Sequence, residues 1–166
     1  MSTSPLVLIV MGSDSDLPVM QEATDVLTKF GVAWEMRISS AHRSPARTMA
    51  LASEAAGRGI KIIIAGAGMA AHLAGVVASK TTLPVIGVPM PGGALNGVDA
   101  LYSTVQMPGG IPVATMAIGK AGAKNAGIFA AQILALGNAD LAETLCQYRL
   151  EMDQECASKD AAIQPK

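Results

Sequence analysis

Val32-Ala33-Trp34-Glu35-Met36-Arg37-Ile38, then Ser39-Ser40-Ala41-His42-Arg43, then Ser44-Pro45, is the stretch that decides the fold. Its first part reads as a strand. Its last two residues open a helix, with Ser44 suited to the cap and Pro45 to the first helical position. The residues between form a short loop at the carboxyl end of the strand, and open α/β sheets take their ligands at that edge. The same succession recurs along the chain. Strands are predicted over residues 6–11, 33–38, 61–65, 85–88 and 113–117, and helices over 17–30, 45–57, 70–80, 99–106 and 121–136. The strands are nearly continuous in Val, Ile and Leu, as expected where helices cover both faces of a parallel sheet. The expected fold is therefore α/β: a three-layer αβα sandwich with a parallel sheet of flavodoxin-like or Rossmann-like type.

Residues 139–157 add a further helix, with Asn138 as its cap and Leu141, Leu145, Tyr148, Leu150 and Met152 as apolar positions. No strand follows it, so its apolar side packs on its own domain or on a neighbouring subunit. Residues 1–157 are expected to form a single domain, and 158–166 to lack fixed structure.

Composition bounds the function. The 166 residues carry a net charge of −1, which leaves no basic field to recruit nucleic acid or an anionic membrane. Only 15% of residues are charged and 51% are hydrophobic, too little charge to cover a monomer, so apolar surface is expected to be buried between subunits. No targeting segment is visible. The apolar stretch 62–78 is interrupted by three glycines and His72, which argues against a membrane span. Cys146 and Cys156 fall on one helix roughly 15 Å apart along its axis, too far to bridge, so reduced thiols in a cytoplasmic protein are expected. The two histidines and two cysteines have no metal-ligand spacing. Aromatic residues make up 3% of the chain, which does not furnish a base-stacking platform.

Three segments carry chemistry. His42 beside Arg43 sets a proton carrier next to a permanent cation, a pairing suited to acid–base work on an anionic substrate. Gly12-Ser13-Asp14-Ser15-Asp16 turns from the first strand into the first helix. It offers hydroxyls and free N–H groups to an anion, and Asp16 suits sugar hydroxyls. It is not a Walker loop, since no Gly-Lys-Ser/Thr follows. Ile64-Ala65-Gly66-Ala67-Gly68-Met69-Ala70-Ala71-His72 ends the third strand, and its glycines let backbone approach a ligand closely. His72 reads either as a brace for this loop or as a second active group, with the brace favoured. The loop 89–99 and the stretch 106–112 are candidate pocket walls or subunit contacts.

Read together in order, Val10 to Asp16, Ser40 to Arg43, Ala65 to Leu73 and Gly97 to Pro108 resemble the class I 5-(carboxyamino)imidazole ribonucleotide mutases of purine biosynthesis, over about residues 6 to 136. The resemblance implies a flavodoxin-like fold, a homo-octamer, and neither metal nor organic cofactor. It implies transfer of a carboxylate from the exocyclic nitrogen of a ribonucleotide to ring carbon C4, through CO2 held in the site. It makes His42 the acid/base and Ser13, Ser15, Arg43 and Asp16 the phosphate and ribose contacts. It makes Gly66, Ala67, Gly68 and Met69 the loop closing over the base. Gly12, Ser40, His72 and Leu73 complete the expected substrate-binding set. Met69 stands where the family usually has glycine and Ala74 where it usually has proline. Pro91-Gly92-Gly93 replaces a more polar stretch, and the family's Asn-Pro-Asp-Pro tail is missing. Two other functions remain open at this level: direct carboxylation of aminoimidazole ribonucleotide by CO2, as in the class II enzymes, and an inactive nucleotide-binding module.

Overall fold

The computed structural model describes residues 4–164. Five parallel strands, β1 (Val7–Met11), β2 (Trp34–Ile38), β3 (Ile62–Ala67), β4 (Val85–Pro89) and β5 (Ala114–Thr115), form one sheet in the order β2-β1-β3-β4-β5. This order is that of the flavodoxin-like doubly wound fold, and it changes direction between β1 and β3. Helices α1 (Leu17–Lys29), α2 (Pro45–Glu54), α3 (Leu73–Ala78), α4 (Val98–Val105), α5 (Lys120–Ala135) and α6 (Ala139–Ile163) complete the chain.

Alternate residues of the fully buried β1 face two separate cores, which is why its run of Val, Leu and Ile shows no polar alternation. Val7, Ile9 and Met11 join Ile62, Ile64, Ile86 and Val88 beneath α1 and α5, where Met20, Ala23, Leu27, Ala126 and Ala130 close the layer. Leu8 and Val10 point the other way, with Ile63, Ala65 and Val85, against Ala52 of α2 and Leu73, Ala74 and Val77 of α3. On that second face α4 lies so close to β4 that a Cβ on Gly87 would collide with the Thr104 methyl.

Several boundaries differ from those expected. As the edge strand, β2 is largely exposed rather than covered on both faces, and its Glu35 pairs with Arg58. The strand expected over 113–117 pairs only at Ala114 and Thr115. At the start of α2, Ser44 holds the cap position and Pro45 the first turn, yet the Ser44 hydroxyl does not cap. It donates to the Ser40 carbonyl at 3.1 Å and accepts from the Ser40 N–H at 3.0 Å, stitching the preceding loop. The helix expected over 70–80 is shortened to Leu73–Ala78, because residues 69–72 are taken up by a turn around the site.

The expected loss of structure after residue 157 is also corrected: α6 continues to Ile163, while 165–166 lie outside the described residues. Ala157, Ala161 and Ala162 favour helix, and Lys159 pairs with Glu155 one turn back at 2.6 Å. Early in α6, Leu141, Leu145 and Tyr148 pack onto the α1–α5 core, with Tyr148 edge-on to Phe30. The Asn138 side chain caps the helix by accepting from Leu141 N at 3.1 Å. Asn138→Ala should lower stability by about 1 kcal/mol. In a chain of this size that is a fall of about 2–4 °C in Tm by calorimetry.

Candidate active site

The registers Met11↔Ile38 and Met11↔Gly66 end β1, β2 and β3 at one level, so their three following loops meet at the point where strand order reverses. There they enclose a cleft of about 390 Å3. Of the expected site residues, Gly12, Ser13, Ser15, Asp16, Ser40, His42, Arg43, Ala67, Gly68, Met69, His72 and Leu73 all line it. Gly66 does not. It sits one step back in β3 above Met20 and Met90, and its carbonyl accepts from Gly12 N at 3.3 Å to hold the neighbouring loop. Ala41 and Ala70 also line the cleft and had no signal of their own, since alanine reports only that a side chain must be small.

The first loop is a capping box. Asp16 accepts from Ser13 N at 3.2 Å, and Ser13 Oγ accepts from Ser15 N at 3.3 Å. Burial raises the Asp16 carboxyl above its ordinary pKa, opposed by the Ser13 N–H, the Ser15 hydroxyl and the charge of Arg43; Asp14 adds slightly to the rise. A half-buried carboxylate in this state gains by accepting hydroxyl hydrogen bonds from a ligand.

The second loop is tied down from beneath. Ser39, 1% exposed, meets Thr48 of α2 at 2.8 Å, and Arg43 N donates to Ser40 Oγ at 3.2 Å. Neither Ser39 nor Thr48 touches the cleft, but both fix the backbone that carries His42. The Arg43 guanidinium crosses to the first loop and donates from Nη2 to the Gly12 carbonyl at 2.7 Å. That bond leaves its other N–H groups for an anion.

The third loop supplies backbone and His72. Met69 has φ 55°, a left-handed conformation costly for a side-chain-bearing residue, and it is 62% exposed at the mouth of the cleft. A Cβ on Gly93 would lie 3.4 Å from Met69 Cγ, which brings the 89–97 loop to the same mouth. Across the cleft, His42 Nε2 lies 2.8 Å from His72 Nδ1. No group of three or more His, Cys, Asp or Glu is placed to hold a metal ion among the described residues. Nor, among those residues, is any helix long and apolar enough to cross a membrane. Cys146 and Cys156 are both free thiols on the exposed side of α6.

A parallel sheet of this order, holding a serine–aspartate loop, an arginine and two histidines around one cleft, defines a flavodoxin-like α/β protein with its titratable and hydrogen-bonding groups gathered where the strand order reverses. Comparison with known proteins makes the assignment particular. The profile of the AIR carboxylase family matches residues 6–155, and the chain belongs to that family. It is 56% identical over 163 residues to the N5-carboxyaminoimidazole ribonucleotide mutase of Synechocystis sp., covering 98% of this chain and 92% of that one. With the Bacillus subtilis protein of the same name it shares 58% identity over 145 residues, 87% of this chain and 90% of its relative. The crystal structure of Treponema denticola PurE superposes with a TM-score of 0.87 at 30% identity, covering 97% of this chain and 99% of that one.

Proposed function

We propose that this chain is a mutase of de novo purine biosynthesis, converting N5-carboxyaminoimidazole ribonucleotide to 4-carboxy-5-aminoimidazole ribonucleotide with His42 as acid/base. One observation carries the reading: His42 reaches into the same cleft as Ser13, Ser15, Asp16 and Arg43, so a proton carrier and a set of ribonucleotide contacts share one space. The serine loop and Arg43 hold the phosphate and Asp16 the ribose hydroxyls, which leaves the heterocycle to face His42. The bond from the exocyclic nitrogen to the carboxylate carbon breaks, its electron pair stays on nitrogen, and His42 supplies a proton there. Ring carbon C4 then attacks the enclosed CO2, and the proton from C4 returns to His42. The protons balance over the cycle. Backbone of residues 67–69 and the side chain of Met69 close over the intermediate, shielding CO2 from water and from escape.

The reading includes a cytoplasmic setting and a homo-octamer. Leu95, Val98, Tyr102 and Val105, exposed around one side of α4, support contact between copies. The deciding test supplies purified protein with N5-carboxyaminoimidazole ribonucleotide, or with aminoimidazole ribonucleotide plus bicarbonate, and follows carboxylation at C4. Efficient turnover is expected with the first. Turnover of only the second makes the chain a carboxylase using CO2 directly, and turnover of neither makes it a binding module.

For Arg43→Ala the expected result is a KM about 10- to 100-fold higher, the loss of a charge-assisted hydrogen bond to phosphate. Steady-state kinetics with the ribonucleotide measure it, and an unchanged KM removes Arg43 from the phosphate site.

A further inference from the structure

Of the side chains from Ser13 to Asp16, the reaction above leaves Asp14 without a part. Its exposed carboxylate nevertheless holds two donors of the serine loop. Oδ1 accepts from the Ser13 hydroxyl at 3.0 Å and from Ser15 N at 3.1 Å. A carboxylate only accepts, so Ser13 gives it the single hydrogen that its hydroxyl owns. The turn itself does not depend on Asp14. Asp16 N donates to the Ser13 carbonyl at 3.2 Å, Ser13 N donates to the Asp16 carboxylate at 3.2 Å, and Gly12 N donates to the Gly66 carbonyl at 3.3 Å. Beside the loop lies a second hollow of about 380 Å3, which shares Gly12, Ser13, Ser40 and Arg43 with the cleft. Asp14 and Arg47 both line this hollow, and neither lines the cleft. Arg47, on the first turn of α2, is exposed and forms no ion pair among the described residues.

We infer that Asp14 is a built-in competitor of the substrate phosphate: its carboxylate holds the Ser13 and Ser15 hydrogens, the phosphate displaces it, and it turns toward Arg47 in the neighbouring hollow. The inference rests on the reading of the serine loop as the phosphate site. A phosphate oxygen and the carboxylate cannot both accept the one hydrogen of the Ser13 hydroxyl, and two anions side by side repel. The phosphate carries the larger charge and has the Arg43 guanidinium on its side, so it takes the donors. Asp14 needs only a turn about its side-chain torsions to leave them, and the cation of Arg47 lines the space it turns into. When product departs the exchange reverses, and the carboxylate takes the same hydrogens back. The loop therefore keeps its donors satisfied at both ends of the cycle. The exchange costs affinity for the nucleotide and favours its release.

Calorimetric titration of the full-length protein with aminoimidazole ribonucleotide provides the test, because a competitor and a structural brace predict opposite signs. Asp14→Ala should bind the nucleotide about 3- to 30-fold more tightly than the parent. Asp14→Asn keeps the shape and an acceptor but loses the charge, and should bind about 2- to 5-fold more tightly. Aminoimidazole riboside, the same molecule without its phosphate, should bind the parent and both variants alike. Arg47→Gln should weaken nucleotide binding about 2- to 5-fold in the parent and by less alongside Asp14→Ala. If Asp14→Ala disturbs the loop, seen as a lowered Tm, the conservative Asp14→Asn decides. The inference is overturned if Asp14→Asn binds the nucleotide no more tightly than the parent, or if the riboside gains as much as the nucleotide. An equal Arg47→Gln penalty with and without Asp14 overturns Arg47's share in it. A parent that does not bind the nucleotide overturns this inference and the proposed function together. A parent that binds it, beside Asp14 variants that bind it no better, overturns this inference alone.

Discussion

His42→Asn should lower kcat by about 100- to 10,000-fold, the range that a positioned general acid–base group supplies. Asparagine is polar and small enough to occupy the same loop without disturbing it, and the bonds that hold that loop come from Ser39, Ser40, Ser44 and Thr48 rather than from the histidine ring. Its amide does not exchange a proton with substrate at neutral pH, so both halves of the reaction lose their carrier. On the proposed function the ribonucleotide should still bind, because the contacts assigned to it are Ser13, Ser15, Asp16 and Arg43 rather than the histidine ring. Steady-state rates with the carboxylated nucleotide and calorimetric titration with aminoimidazole ribonucleotide separate the two effects. A kcat within about threefold of the parent would remove His42 from the proton transfer.

The largest effect on stability is expected at Gly122, far from this chemistry in sequence. In the first turn of α5, a Cβ on this residue would overlap the carbonyl oxygen of Ala117 and reach within 2.6 Å of its carbonyl carbon. Both atoms belong to backbone, so no rotamer change relieves the contact, and α5 has to shift away from the segment that leaves β5. Such a shift loosens the layer in which Ala123, Ala126 and Ala130 pack fully buried. Gly122→Ala should therefore cost about 3 kcal/mol or more, above the usual range for overpacking at flexible side chains. Thermal unfolding should register it as a fall of about 6–12 °C in Tm. Gly66→Ala provides the contrast. Its added Cβ meets Met20 Sδ and Met90 Cε, each at 2.6 Å, and flexible methionine ends give way where a carbonyl does not. Equal losses for the two substitutions would refute the argument from backbone rigidity.

Much of this protein was legible before its structure. The buried runs of β1, β3 and β4 announced a parallel sheet because strands covered on both faces admit few polar residues. The three loops were recognisable from residue chemistry: Ser13 and Asp16 at a helix start, His42 beside Arg43, and glycines after β3. Boundaries were less legible where tertiary contacts outweigh local preference. At the edge of the sheet β2 needs no apolar cover, β5 is cut to two paired residues, and residues 69–72 give up helix to form the cleft wall. Single residues misled in the same way. Gly66 and Gly68 look alike in sequence, but the strand carries Gly66 into the methionine layer and delivers Gly68 to the cleft.

By itself the sequence determined the fold class and the residue types that each loop offers, and it singled out His42 as the candidate proton carrier, since these depend on residue type, spacing and local backbone preference. Only the tertiary structure decided which loops share a space. That followed from the strand order β2-β1-β3 and the common level at which those strands end. The same registers bring two histidines thirty positions apart to 2.8 Å. Such a distance is set by hydrogen-bonded register between strands, a long-range property that no local run of residues encodes.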